Sequence, residues 1–492
     1  MPEDDFQRGC RLELQGERGA AIEAYRRALE NDAEHPGARR NLGYLLSAQG
    51  YALQERGEYS AAAASYQEAL ALEPAQPLAH NNLGNALRDI ARLTDAIESY
   101  RNAIALDPGM ATAHANLGIA LQQTGQTAGA TEQLRVAVAL DPGNSEAVLN
   151  LGYLLEQQGD GRGALENYRK AIEIQPDFAE AHFNYALQLL LAGELTRGWA
   201  EYEWRLRHPD LARFWPFAGR PRWDGCALDG KTILLYAEQG FGDALQFVRY
   251  APLVAARGAK VIVSCQAKLA SLFRSVPGVA AVVDAAGPVP QFDLCCSLLS
   301  LPHFFGTVLE TIPAQVPYVH ADEQKARRWK AQLEAQDGRL KVGLFWATDT
   351  ITSISASRSL QLDRLAALGG IPGAAFYSLQ RGAAARQALR PPPGLKLIDC
   401  TTELRDFSDD AALIANLDLV ISINSATAHL AGALGRPVWT LIQFPPDWRW
   451  LLERTDNPWY PSMRLFRRAR DEPWERVAAR LAEALRGWCP SS

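Results

Sequence analysis

The stretch NNLGNALRDIARLTDAIESYRNAIALDP, residues 81–108, sets the architecture of the first third of the chain, because its pattern returns at a fixed interval. The proline that ends it has equivalents every 34 residues, at Pro74, Pro108, Pro142 and Pro176. Before the proline come Ala96, Tyr100 and Ala103, and the next copy repeats this order with Leu in the middle. Self-similarity of this period is typical of stacked helix pairs. Each proline closes a unit because it cannot continue the second helix.

The first helix of each predicted pair carries Asn-Leu-Gly, at 82–84, 116–118 and 150–152. This pattern is similar to the tetratricopeptide repeat. About six units fit into residues 1–206, and the last of them, 179–206, departs from the consensus at Gly198 and Arg205. The resemblance implies an α-solenoid that serves as a recognition surface, with the chemistry elsewhere in the chain.

The second unit contains seven extra residues, because Gly43, Gly50 and Gly57 follow one another at intervals of seven. Seven residues are about two helical turns. The insertion therefore either lengthens the first helix without rotating its apolar face or forms a bulged loop.

Asparagine recurs in one predicted register of the array, at Asn41, Asn82, Asn116, Asn150 and Asn184. Stacking of the repeats is expected to align these side chains along the concave face. There, amides can bond the backbone of an extended peptide whatever its side chains. On this interpretation Asn82, Asn116, Asn150 and Asn184 bind the acceptor; the alternative is that the amides bond within the array.

The second half of the chain alternates strand and helix signals. The predicted strands are 231–237, 259–265, 340–347, 374–380, 395–399, 418–423 and 437–442. The predicted helices are 244–257, 267–275, 361–368, 412–417, 425–435 and 473–488. The two series indicate two Rossmann-like halves with a cleft between them. The expected fold class is α + α/β, with a repeat array at 1–206, a linker at 207–230 and halves at 231–330 and 340–487.

Composition limits the classes of protein to consider. A chain of 492 residues with a net charge of −6 and no long basic run gives no electrostatic case for nucleic acid binding. The acidic N-terminus and the lack of an 18-residue apolar run predict a cytoplasmic protein without a membrane span. Its seven scattered cysteines are expected to be reduced thiols rather than disulfides or metal ligands.

Two motifs in the second half carry a family resemblance. The turn EQGFGD (238–243) follows the first strand, and the helix HLAGALGRP (429–437) lies near the end. Over residues 231–487 they resemble the GT-B glycosyltransferases, and among these the heptosyltransferase-like family. The fusion with repeats is similar in architecture alone to the protein O-linked N-acetylglucosamine transferases. The resemblance implies transfer of a sugar from a nucleotide-sugar co-substrate to a hydroxyl of a protein or glycan, with no metal and no further cofactor.

The donor phosphate is expected at the segment that links strand 418–423 to its following helix. In open α/β sheets ligands bind at this edge, and free N–H groups at a helix start attract phosphate. The candidate residues are Asn424, Ser425, Ala426, Thr427 and His429. Simple capping of the helix is the alternative. The heptosyltransferase-like family commonly has Asp where this chain has Asn424, so the departure implies either a changed donor or weak or absent activity.

Asp243 matches, by the resemblance, the aspartate that takes a proton from the acceptor hydroxyl. A helix N-terminus favours the ionised carboxylate that a base requires. The same position also suits an N-cap. Gly240 and Gly242 allow the tight turn, and Glu238 and Gln239 border it as candidate acceptor contacts.

The loop 346–360 is where the family often has a basic group that offsets the donor phosphate charge. It contains no Lys, so Arg358 is the candidate. Gln380 and Arg381, after the strand 374–380, are further candidates for the donor site.

The run 444–468 is rich in aromatic residues, including Trp448, Trp450, Trp459 and Tyr460. They either stack on a base or sugar or clamp the C-terminal region onto its neighbour. The second half contains no complete dinucleotide fingerprint, P-loop, Asp-x-Asp or Gly-x-Ser-x-Gly motif. The leading hypothesis is a glycosyltransferase, and its rival is a non-catalytic repeat scaffold with a relict GT-B domain.

Overall fold

A computed structural model describes residues 4–212, 217, 219–334, 339–348 and 358–488. The chain divides into two compact units, Met1–Ala181 and His182–Ser492. No helix in the described ranges is both long enough and apolar enough to cross a lipid bilayer.

The first unit is built of helices that pack in consecutive pairs. Its helices are Asp5–Leu14 (α1), Arg18–Asn31 (α2), Pro36–Glu55 (α3), Tyr59–Leu72 (α4), Pro77–Asp89 (α5), Leu93–Leu106 (α6), Ala111–Gln123 (α7), Thr127–Leu140 (α8), Ser145–Gln157 (α9) and Gly161–Ile174 (α10). A sixth pair follows, Ala179–Leu191 (α11) and Leu195–Tyr202 (α12). The predicted helical repeat architecture is therefore present.

The spacing of 16 residues between the repeat glycine and the repeat tyrosine has a packing cause. A Cβ atom on Gly84 would lie 2.5 Å from the ring of Tyr100, and one on Gly152 would lie 2.8 Å from the ring of Tyr168. Both tyrosine side chains are fully buried. Only glycine lets the first helix of a pair lie this close to the large side chain of the second.

The extra residues of the second unit lengthen its first helix. Helix α3 has 20 residues, whereas α5, α7 and α9 have 13 each. Gly50 is the residue that faces the ring of Tyr66, at 2.9 Å from its Cβ position. The residue equivalent to Asn82 is therefore Ala48, and the prediction that Asn41 shares this register is wrong.

The second unit contains two sheets made entirely of parallel pairs. The first sheet has Thr232–Tyr236 (β1), Lys260–Cys265 (β2), Val279–Asp284 (β3) and Leu294–Ser297 (β4), in the order β3-β2-β1-β4. The second has Leu340–Phe345 (β5), Ala374–Ser378 (β6), Leu397–Asp399 (β7), Leu419–Ile423 (β8), Val438–Ile442 (β9) and Met463–Arg467 (β10), in the order β10-β9-β8-β5-β6-β7. In the second sheet the strand order reverses between β5 and β8, where α/β proteins bind ligands.

Further α-helices among the described residues of this unit are Pro209–Ala212 (α13), Phe241–Phe247 (α14), Ala251–Ala255 (α15), Ala267–Phe273 (α16), Leu301–Phe304 (α17), Glu323–Glu334 (α18), Phe407–Ile414 (α19), Ala426–Ala433 (α20) and Trp474–Arg486 (α21). The helix predicted over 244–257 is broken into α14, a 3-10 turn at 248–250 and α15. Pro252 has no N–H for the continuing helix, so the break lies just before it. Residues 362–368, predicted as α-helix, form a 3-10 helix.

The last helix pair packs with the sheets of the second unit rather than ending an independent array at residue 206. The ring of Trp199 in α12 lies 6.1 Å from Phe247 and 5.3 Å from Trp448, measured between centroids. Its indole N–H donates to the carbonyl of Thr307 at 3.1 Å. The expected linker partly joins the first sheet, because the backbone N–H of Trp223 donates to the backbone carbonyl of Cys295 at 2.9 Å. Residues 213–216 and 218 of that linker lie outside the described residues.

Candidate functional site

Two helix starts meet in the second unit, one from each sheet. Helix α14 follows β1, and helix α20 follows β8. A Cβ on Gly242 would lie 2.9 Å from the His429 ring and 3.8 Å from the Cα of Ala426. Glycine at 242 therefore permits the close approach that brings Asp243 to the beginning of α20.

Both carboxylate oxygens of Asp243 are engaged. Oδ2 accepts a hydrogen bond from the Gly240 N–H at 3.0 Å, which closes the turn before α14. Oδ1 forms an ion pair with Nη2 of Arg449, which follows β9. The Asp243 side chain keeps 19% of its surface exposed. The carboxylate is thus held in a fixed orientation at the helix start.

Arg449 links Asp243 to two further charged residues. Its Nη1 lies 2.9 Å from Oδ1 of Asp447, and Nη2 of Arg358 lies 3.6 Å from the other oxygen of Asp447. We call Asp243, Arg449, Asp447 and Arg358 the charge chain. Sequence reasoning included Asp243 and Arg358 but missed Asp447 and Arg449. The sequence indication of both residues was their occurrence as a charged pair inside FPPDWRW. The aromatic residues around this pair favour a packing role instead.

The charge chain stabilises its own ionised forms. Burial raises the pKa of Asp447, but the Arg449 and Arg358 guanidinium groups outweigh burial and hold that pKa below its usual value. Burial lowers the pKa of Arg449, but the carboxylates of Asp243 and Asp447 outweigh this and raise it. The two carboxylates and the two guanidinium groups of the charge chain therefore neutralise each other.

The segment before α20 contains a buried amide without a partner. Ser425 caps the helix through its Oγ, which accepts from the Ala428 N–H at 3.4 Å and lies 2.8 Å from the hydroxyl of Ser422. Asn424 is buried, and within the described part of the chain its Nδ2 has no hydrogen-bond partner. Ala426 and Thr427, which open the helix, are half-buried. The first N–H groups of a helix have no partner within it, so this segment offers donors to an anion.

His429 is a neutral group between the two helices. Its Nδ1 lies 2.9 Å from the Tyr460 hydroxyl, and its ring stacks on Trp450 with centroids 5.3 Å apart. Burial lowers its pKa to about 3, with a further contribution from the charge of Arg449. The imidazole therefore carries no charge near neutral pH and offers no cation to a phosphate.

The side chains of Gln380 and Arg381 bond to other residues around the second sheet. The Gln380 amide oxygen accepts from the N–H groups of Trp346 and Ala347, at 3.1 and 2.9 Å. Arg381 pairs with Asp410 at 2.8 Å. The structure does not bring either side chain into the charge chain. Residues 349–357 of the loop between β5 and Arg358 lie outside the described residues.

Glu238 and Gln239 face the last helix pair. Glu238 lies 2.5 Å from Nε of Arg205, and both side chains are buried. Arg205 also donates to Ser300 Oγ at 2.7 Å. Gln239 donates to the Tyr202 hydroxyl at 3.4 Å. Arg205, which departs from the repeat consensus, is therefore the residue that ties this pair to the turn carrying Asp243.

The asparagines of the array are hydrogen-bonded inside it. Asn116 Nδ2 donates to Asn81 at 2.9 Å, and Asn81 donates to Asn82 at 3.3 Å. Asn150 donates to the carbonyl of Glu146, one turn earlier in its own helix, at 2.9 Å. Asn184 belongs to the second unit and is half-buried. Asn81, which sequence reasoning missed, links two members of the row.

Comparison with family models identifies the repeats. A model described as "TPR repeat" matches residues 50–90, 84–125 and 157–190, and one described as "Tetratricopeptide repeat" matches residues 6–50. The N-terminal region is therefore made of tetratricopeptide repeats, as predicted.

Among curated proteins, Protein FlbA of Caulobacter vibrioides (strain ATCC 19089 / CIP 103742 / CB 15) is 31% identical to this chain over 340 residues. The alignment covers 63% of this chain and 55% of FlbA. The chain thus matches about half the length of this relative.

Several solved structures are similar to the repeat region. MamA is 25% identical with a TM-score of 0.29, covering 35% of this chain and 96% of MamA. YrrB, described as a TPR protein with an unusual peptide-binding site, is 24% identical with a TM-score of 0.31, covering 36% of this chain and 88% of YrrB. PilF of Pseudomonas aeruginosa is 21% identical with a TM-score of 0.32, covering 44% of this chain and 91% of PilF.

Proposed function

We propose that this chain is a GT-B type glycosyltransferase that moves a sugar from a nucleotide-sugar donor to a hydroxyl of a protein or glycan acceptor. The observation that carries the proposal is the meeting of α14 and α20, in which Gly242, the neighbour of Asp243, lies against Ala426 at the start of α20. Both helices begin at the carboxyl ends of parallel strands, where α/β proteins bind ligands.

In the proposed reaction Asp243 takes the proton of the acceptor hydroxyl. The acceptor oxygen then forms a bond to the anomeric carbon of the sugar, and the bond from that carbon to the donor phosphate oxygen breaks. Its electron pair leaves with the nucleotide. The N–H groups that begin α20 and the guanidinium of Arg358 stabilise the negative charge that develops there.

In the same proposal the repeat array presents the acceptor. Tetratricopeptide repeats stack into extended concave surfaces that suit a protein partner. Asn82, Asn116, Asn150 and Asn184 are the proposed contacts to an acceptor backbone, since each amide has more than one hydrogen-bonding atom. Peptide binding would require Asn82, Asn116 and Asn150 to keep or exchange the bonds that they make inside the array.

The test of the proposal is the variant Asp243→Ala, assayed with a panel of nucleotide sugars for transfer and for donor hydrolysis. We expect the rate to fall by about 10²–10⁴-fold, the usual contribution of a general base. Nucleotide binding, measured by calorimetry, is expected to persist. Asp456→Ala is the matched control, because Asp456 is exposed and pairs with Arg454 outside the charge chain. Equal turnover in wild type and Asp243→Ala would refute the assignment of the base.

A second candidate function is a non-catalytic repeat scaffold whose GT-B domain mediates protein–protein interaction. Two observations favour it: both oxygens of Asp243 are engaged, and Asn424 stands where the resembling family has Asp. Calorimetry separates the two candidates. Failure of every nucleotide sugar to bind at millimolar concentration favours the scaffold.

A further inference from the structure

We propose that Arg449 is a positioning residue that blocks Asp243 in the absence of donor and releases it when donor phosphate binds. The inference rests on the proposed function, since it concerns the same carboxylate. It makes acceptor activation depend on donor binding, so that the base is free only when an activated sugar is present.

The backbone of Arg449 is held separately from its guanidinium group. Its backbone is fixed, because its N–H donates to Asp447 at 3.0 Å and its carbonyl accepts from Asn457 at 3.2 Å. Its guanidinium lies over the Trp448 ring, 4.2 Å from the centroid. The long side chain can therefore turn about a fixed backbone while its charge stays over an aromatic face.

Charge balance supplies the driving force. Without ligand, the two carboxylates and two guanidinium groups of the charge chain compensate each other. A donor phosphate adds negative charge to this small, largely buried region. Guanidinium groups bind phosphate as well as carboxylate, so the incoming phosphate competes with Asp243 for Arg449.

Movement of the Arg449 guanidinium away from Asp243 frees one carboxylate oxygen. Oδ1 is freed, while Oδ2 stays on the Gly240 N–H and keeps the carboxylate oriented. The proton taken from the acceptor hydroxyl then occupies the oxygen that Arg449 has left.

A separate observation points to a ligand at the same place. The buried Asn424 side chain, at the start of α20, has an Nδ2 donor with no partner in the described residues. Buried donors are rarely left unpaired in folded proteins. An anionic ligand at this helix start would supply the acceptor that Asn424 lacks.

The experiment is a calorimetric titration of the full chain with inorganic pyrophosphate, UDP, GDP, ADP, CDP and CMP. In Asp243→Asn the competing charge is gone, so the affinity for phosphate is expected to rise by about tenfold, the scale of one charge-assisted hydrogen bond. The amide oxygen that this substitution introduces can still accept from the Gly240 N–H. Arg449→Gln is expected to weaken binding by about tenfold or more, and Arg449→Lys to retain most of it. Asp456→Asn, an exposed loss of the same charge, is expected to bind as wild type.

Equal affinity of wild type and Asp243→Asn for all six probes overturns the inference, and so does failure of Asp243→Asn to bind any of them. Circular dichroism of each variant checks that it is folded, and the comparison of Asp243→Asn with Asp456→Asn decides the inference even if Arg449→Gln does not fold. Turnover separates this inference from the proposed function. Transfer activity with unchanged affinity overturns the switch and leaves the transferase. Tighter binding without transfer supports the competition for Arg449 and counts against the transferase.

Discussion

His429 shows how a single buried residue responds to its surroundings. Its imidazole is enclosed by Tyr460, Trp450 and the close backbone of Gly242. Burial lowers its pKa to about 3 in the folded chain, whereas an unfolded histidine titrates near 6.5. Below about pH 6.5 the unfolded state therefore takes up a proton that the folded state refuses. The contribution of this residue to stability is complete above pH 6.5 and is lost as the pH falls toward 3.

We predict that His429→Asn reduces the loss of stability on acidification. Wild type is expected to lose about 1.4 kcal/mol more per pH unit than the variant between pH 6 and pH 4. The measurement is the midpoint of urea unfolding at a series of pH values. His320→Asn is the control, because His320 is exposed. Parallel pH profiles for wild type and His429→Asn would contradict the prediction.

The sequence indicated Asp243 and Arg358 as separate candidates, but it did not indicate the ion pairs that connect them. Arg449 contacts Asp243 across 206 positions of the chain. A local sequence pattern cannot indicate a contact between residues that are so far apart along the chain. In addition, Trp448 and Trp450 flank Arg449, so the composition of the segment indicates a packing cluster rather than a charged site.

At the level of elements, the first helix of each of the first five pairs contains a glycine that packs against a side chain of the second helix. In an ordinary helix interior, Gly→Ala stabilises by about 0.5–1 kcal/mol. Here the added methyl group of an alanine at position 84 would overlap the buried Tyr100 ring. Steric conflict in a packed core lowers the free energy of unfolding by more than the better helix propensity of alanine raises it.

We predict that Gly84→Ala destabilises the repeat region by about 1–3 kcal/mol. Gly19→Ala is the matched control, because Gly19 lies in α2 with no atom within 4 Å of its Cβ position. It is expected to be neutral or slightly stabilising. Thermal unfolding followed by circular dichroism at 222 nm tests both variants. A Gly84→Ala chain as stable as Gly19→Ala would show that the Tyr100 ring moves aside freely.

Periodic signals made most elements predictable, and short or irregular ones were missed. The 34-residue interval indicated the helix pairs, and apolar runs indicated strands such as β1, β2 and β8. Strand β10 was not predicted, because its sequence MRLFR alternates charge with apolar residues and lies at the edge of the sheet. Strand β4 has four residues, too few to show a period.

At the level of the molecule, the last repeat belongs with the sheets. Trp199 is buried among Phe247, Trp448 and Trp459, which come from both halves of the second unit. The sequence placed the boundary at residue 206, because the repeat period extends to that point. The division of the structure into compact units places the boundary between Ala181 and His182. The repeat period of the sequence predicts the helix pairs, whereas tertiary packing determines the unit to which each pair belongs.

We predict that Trp199→Ala loosens the second unit and leaves the first unchanged. Removing this buried ring costs about 3–5 kcal/mol. Hydrogen exchange of the full chain, read by mass spectrometry, is expected to accelerate in 241–250 and 448–460 and to stay as in wild type over 36–140. Trp204→Ala is the control, since the Trp204 ring stacks on His182 outside the Trp199 cluster. Unchanged exchange in 241–250 would mean that Trp199 contributes little to that packing.

The buried pair of Arg205 and Glu238 has a practical consequence for engineering this molecule. Glu238 begins the turn that ends at Asp243, so the last helix pair and this turn share one buried ionic contact. A chimera that swaps in foreign repeats up to residue 206 would leave Glu238 as an uncompensated buried anion. We therefore expect foreign repeats to be tolerated only up to residue 178, before α11, with residues 179–206 kept together with the sheets.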